Sequence, residues 1–76
     1  MVNRKMTAKL IAEYYDDNNF DETFSKEEFE EHILETLEEN EQTEMESLID
    51  FFEEQTVNND FVAMSILADL RQINKE

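Results

Sequence analysis

Hydrophobic residues recur along this chain at the spacing of amphipathic helices, in four blocks separated by short polar stretches. The first block predicts a helix from about Val2 to Tyr15 with Met6, Leu10, Ile11 and Tyr14 on one face. It ends in Asp16-Asp17-Asn18-Asn19, whose side chains compete for backbone hydrogen bonds and favour turns. The second helix has the clearest start. Ser25 and Glu28 stand at capping-box spacing, each side chain satisfying a backbone N–H that the first turn leaves unpaired, and Phe24 and Phe29 occupy the positions of a hydrophobic staple. Beyond that start Phe29, Ile33, Leu34 and Leu37 share an arc. Thr43 and Glu46 repeat the capping-box spacing ahead of a third helix to about Gln55, with Met45, Leu48, Ile49, Phe51 and Phe52 on one side. The fourth helix starts after Asn59 or Asp60 and runs to about Ile73. Val62, Ile66, Leu70 and Ile73 form its stripe, and Phe61, Met64 and Leu67 widen it almost around the helix. A helix so apolar is expected either to be central or to lend its second face to a homodimer.

Composition narrows the architecture. Glycine and proline are both absent, which removes glycine phosphate loops, primed hairpin turns and proline turns together. The expected fold is all-α: a compact bundle of four short helices joined by brief Asn/Asp/Thr loops, with residues 1–76 forming one domain. At this size folding buries only about 60% of the surface the chain exposes when unfolded, so the core has little to spare. Without cysteine there is no disulfide or thiolate metal site, and no apolar run approaches the roughly 20 residues that span a bilayer. Charged and polar residues follow Met1 within one turn, unlike a signal peptide, so the expected location is the cytoplasm.

Charge changes the picture more. The formal net charge is −15, and from Glu13 to Glu54 there are 18 acids against one base, Lys26. Arg4, Lys5 and Lys9 stand ahead of that stretch, Arg71 and Lys75 after it. Such a field repels nucleic acid and anionic membranes and steers basic partners in at a salt-dependent rate. The acids are also ordered. Glu27, Glu28, Glu31, Glu35, Glu38 and Glu39 fill the polar arc of the second helix, and Glu46, Asp50, Glu53 and Glu54 that of the third. Carboxylates three or four residues apart on a helix lie about 5–6 Å from one another, close to the phosphate spacing of a nucleic-acid strand. A solvated face is the plain alternative, but solubility needs a net charge of only about 2–8, and like charges one turn apart cost a few tenths of a kcal/mol per pair. Glu27–Glu31, Glu31–Glu35, Glu35–Glu39 and Asp50–Glu54 are such pairs, which favours a partner-binding role.

Other chemistry is sparse. Asp17, Asn19, Asp21, Thr23, Ser25 and Glu28 have the ligand spacing of an EF-hand calcium loop, with Phe24 at its apolar position. Glu22, however, stands where that loop needs glycine for its sharp turn, and Asp16 where an aromatic residue precedes it. The capping box accounts for Ser25 and Glu28 without a metal, so no metal or other cofactor is expected. His32, the single histidine, has no second His or Cys for zinc and no placed serine for a triad, and reads as a boundary residue. In the pairs Tyr14-Tyr15 and Phe51-Phe52 one ring is expected in the core and the other near the surface. No constellation nominates a catalytic residue, so an enzyme is not expected.

In size, charge and helical carboxylate rows the chain resembles the small acidic inhibitors of phages and mobile elements, including anti-restriction, anti-CRISPR and other DNA-mimic proteins. Phe24-Ser25-Lys26-Glu27-Glu28-Phe29 and Leu48-Ile49-Asp50-Phe51-Phe52-Glu53-Glu54-Gln55-Thr56 also resemble the four-helix immunity proteins of nuclease colicins, although that family's Tyr-Tyr-Pro segment has no counterpart here. Both resemblances imply a basic nucleic-acid-binding protein or nuclease as partner, blocked by an acidic face in its groove in the cytoplasm of a host cell. They imply no direct contact with nucleic acid or membrane. The alternative is an adaptor or regulatory protein that meets its partner through the apolar fourth helix.

Overall fold

Among the described residues, four backbone-to-side-chain caps start four helices. The computed structural model describes residues 2–18 and 25–76, in which α1 spans Arg4–Asp17, α2 Lys26–Glu39, α3 Gln42–Thr56 and α4 Phe61–Lys75. Asn3 accepts from the Met6 amide at 3.1 Å, Ser25 from Glu28 at 3.2 Å, and Asp60 from Val62 and Ala63 at 3.0 and 3.1 Å. Each bond satisfies a donor that the first turn cannot pair internally. The Ser25 half of the expected capping box thus forms, while Phe24 of the staple lies outside the described residues. The start of α3 differs from expectation. Glu41, not Thr43, is its cap, accepting from the Glu44 amide at 3.0 Å. Asn40 ends α2 in the left-handed region at φ 50, Glu41 is extended, and the chain re-enters helix at Gln42, so Thr43 already sits in the first turn. Among the described residues two have positive φ, Asn40 and Asn59 (φ 60). In a chain without glycine, asparagine tolerates that conformation best.

Long-range bonds set the topology. Arg4 Nε donates to the Leu37 carbonyl at 3.2 Å and its guanidinium pairs with Glu76 at 2.9 Å, bringing the start of α1 to the ends of α2 and α4. At the same end Asn40 Nδ2 donates to the Ile73 carbonyl at 3.1 Å. At the other end the Tyr14 hydroxyl donates to Asp60 Oδ2 at 2.9 Å and lies 3.3 Å from Gln55 Oε1, joining the end of α1 to the end of α3 and the start of α4. The helices therefore alternate up and down in an all-α four-helix bundle. α1 packs chiefly on α2, α3 on α4, and α1 meets α4, whereas α2 and α3 touch little although one short turn joins them.

All four helices feed one core, which includes Ile11, Leu37, Met45, Phe52, Ile66, Leu70 and Ile73. The buried face of α1 is rotated from the expected one. Met6 is 64% exposed and Leu10 lies at the surface, while Thr7, Ala8 and Ala12 join Ile11 and Tyr14 inside. Because α1 packs on two neighbours at once, small side chains between them allow close approach and the larger apolar ones are turned out. α4 buries Ala63, Ile66, Leu67, Leu70 and Ile73 but leaves Phe61, Val62 and Met64 exposed, so it is central on one face only. The paired aromatics divide as expected. Tyr14 and Phe52 are buried, Tyr15 and Phe51 half-buried.

Candidate partner-binding surface

Ile33 and Leu37 point into the core and set the rotation of α2. Helical spacing then places Glu28, Glu35 and Glu39 on the flank shared with His32 and Thr36, and Glu27, Glu31 and Glu38 on the opposite flank. Met45 and Phe52 set the rotation of α3. Glu54 falls in line with Thr43 and Ser47, Asp50 lies at the shoulder of that line, and Glu46 and Glu53 lie toward α4. All of these carboxylates are exposed. Glu53 accepts from Arg71 of α4 at 3.1 Å, and Glu46 from Gln42 at 2.7 Å. Two other ion pairs among the described residues, Arg4–Glu76 and Lys26–Glu13 at 3.8 Å, leave the predicted carboxylates aside.

The two acidic rows do not merge into one sheet of charge. Between α2 and α3 runs a groove of about 440 Å³, lined by Tyr15, His32, Ile33, Thr36, Thr43, Glu44, Ser47, Leu48 and Phe51. It exists because these two helices make few contacts with each other and because threonine and serine occupy the facing positions. The Thr36 hydroxyl donates to the His32 carbonyl at 3.1 Å and that of Ser47 to the Thr43 carbonyl at 3.2 Å, so both are engaged by their own helices. Tyr15 at the floor stacks near Phe29 and Phe51, at centroid separations of 4.8 and 5.1 Å, and Phe51 meets Phe52 edge-on at 5.1 Å. Helical periodicity alone does not disclose this groove, nor with it Glu44 and the small polar positions Thr36, Thr43 and Ser47. The signal available was the i,i+4 pairs His32–Thr36 and Thr43–Ser47, which leave a gap in otherwise bulky or acidic helix faces.

Among the described residues two groups are shifted from their ordinary values for structural reasons. Burial, then the hydrogen bond to Asp60 and that carboxylate's charge, push Tyr14 up from 10.0 to about 12. The Glu44 amide, then that of Thr43, hold the exposed Glu41 carboxyl below its ordinary range, as a helix N-terminus does for an anion. The residues of the calcium-loop pattern from Asn19 to Thr23 lie outside the described residues. Of those flanking them, Asp17 is the last residue of α1 and Ser25 is a helix cap. Among the described residues no three His, Asp or Glu side chains converge to hold a metal ion, and no helix is long and apolar enough to cross a membrane. No protein-family model, curated protein or solved structure matches the chain.

Proposed function

We propose that this chain is an acidic binding protein that inhibits a nucleic-acid-binding protein or nuclease, in the cytoplasm, by occupying its basic groove. The observation that carries the reading is the exposure of Glu27, Glu28, Glu31, Glu35, Glu38, Glu39, Glu46, Asp50, Glu53 and Glu54, of which, among the described residues, Glu53 alone stands in an ion pair. Like charges left uncompensated on adjacent turns oppose folding, and they become favourable when Lys and Arg of a partner meet them. No step of this function is catalytic: the acids compete with phosphates for the same cations. Ion pairs formed this way weaken steeply as salt screens them.

The test is capture from a bacterial lysate at low salt, elution by a salt gradient, and assay of the released protein. A nucleic-acid enzyme that elutes at moderate salt and is inhibited by the pure chain supports the reading. Reversal of Glu31, Glu35 and Glu38 to Lys should then abolish binding with helicity intact by circular dichroism, and unchanged binding overturns the reading. The second reading, an apolar adaptor or homodimer through α4, is favoured by Phe61, which is 80% exposed beside Met64 on a helix face without carboxylates. Binding that resists salt and is lost in Phe61→Ser decides for that alternative.

A further inference from the structure

The groove between α2 and α3 differs in kind from the outward carboxylate rows. A surface that imitates phosphates needs charge at the right spacing and has no use for a trough with an apolar floor. Here Ile33 and Leu48 lie beneath a rim that carries Glu44 itself. Helical spacing sets Glu28 and Glu39 beside His32 along that edge of α2, and Glu54 in line with Thr43 and Ser47 on α3. The cations nearest in sequence do not neutralise it: Lys26 lies 3.8 Å from Glu13 of α1, and Arg71 pairs with Glu53 on the far flank of α3.

We propose that this groove docks a basic amphipathic helix of a partner protein, with two apolar anchors on the floor and flanking Lys or Arg against Glu28, Glu39, Glu44 and Glu54. The proposal deepens the function given above and rests on it only for the sign of the partner's charge. Three features fit this occupant. The rim is acidic on both sides, so the partner's flanks must be basic. From Thr43 to Phe51 the groove follows α3 for about 12 Å, a little over two helical turns, which suits anchors one turn apart on an incoming helix. Its volume lies in the range of about 300–1,000 Å³ over which clefts bury apolar groups. Charge would select the partner and the anchors would fix its register, a division of labour that a purely electrostatic mimic lacks.

The experiment uses the full chain and two synthetic peptides of identical composition. One places leucines a turn apart on one face of a Lys/Arg-rich helix, and the other scatters them around it. The expected result is at least about tenfold tighter binding of the amphipathic peptide. Its amide chemical-shift changes should centre on Thr36, Ser47 and Leu48. Ser47→Trp, which fills the groove from an exposed position, and Thr43→Arg, which sets a cation on the rim from another, should each remove the preference while leaving weak binding of the scattered peptide. Reversing the opposite flank through Glu27, Glu31 and Glu38 to Lys should weaken both peptides alike and keep it. Equal affinity of the two peptides, or shifts centred on Phe61 and Met64 of α4, overturns the proposal. So does a second copy occupying the groove, seen as a dimer by light scattering that excludes both peptides. If the peptide preference stands but the lysate partner has no nucleic-acid role, mimicry falls and the groove remains. If an enzyme is inhibited while the peptides bind equally, the groove falls alone.

Discussion

Tyr14 shows how much one side chain can join. Its ring is buried against Phe52 at a centroid separation of 5.4 Å, and its hydroxyl reaches Asp60, whose other oxygen caps α4. The neutral phenol is therefore favoured in the fold, and its pKa rises from 10.0 to about 12. A folded-state value raised above the unfolded one means that this contribution to stability is complete below pH 10 and is lost as pH climbs through about 12. The melting temperature should fall across that window, and Tyr14→Phe should fall less steeply. The same variant should lose about 0.5–1.5 kcal/mol at neutral pH, the net worth of a hydrogen bond. Thermal melts followed by circular dichroism test both, and identical alkaline slopes would remove Tyr14 as the cause.

At the scale of elements, the turn between α2 and α3 decides more than its length suggests. Asn40 takes left-handed φ, ends α2 through a bond from its own N–H to the Thr36 carbonyl, and fastens the turn to α4 through Ile73. Its side-chain Oδ1 is buried without a hydrogen-bond partner, so the residue is held by its backbone conformation and by one amide bond. Glycine in its place would keep the conformation and lose the bond, whereas alanine would lose both. Asn40→Ala should therefore be less stable than Asn40→Gly by about 1–2 kcal/mol, the steric cost of left-handed φ for a residue with a Cβ. Urea unfolding of the two variants measures the difference, and equal midpoints would show that the turn relaxes. The same turn sets how α2 and α3 separate, and hence the groove.

For the whole molecule the dominant fact is the charge of −15 on a chain whose Cα radius of gyration is 11.4 Å. Self-repulsion of this kind opposes the compact state and is reduced by screening. The melting temperature is expected to rise as sodium chloride increases from about 0.05 to 0.5 M, where the Debye length shrinks to a few Å. A flat response would mean that the fold pairs its acids better than its three ion pairs among the described residues indicate. Salt thus acts in opposite directions, stabilising the free protein and weakening its electrostatic complexes.

The chain's local features were legible because they act within a turn or two of helix. Helical period, the Ser25 and Asp60 caps, the division of each aromatic pair and the exposure of the carboxylates depend on residues close together in sequence. The tertiary structure decided what depends on neighbours far away. α1 turned Met6 outward because two other helices claimed its small-residue flanks, and Glu41 displaced Thr43 as cap because the turn at Asn40 is held by α4. The carboxylate rows were separated by a groove because the contacts that place α2 and α3 run through other helices. Arg4 to Leu37 and Asn40 to Ile73 each bridge 33 residues, and Tyr14 to Asp60 bridges 46. Periodicity says which side of a helix is apolar, but only such long-range pairs settle which neighbour that side meets and which acids then face one another.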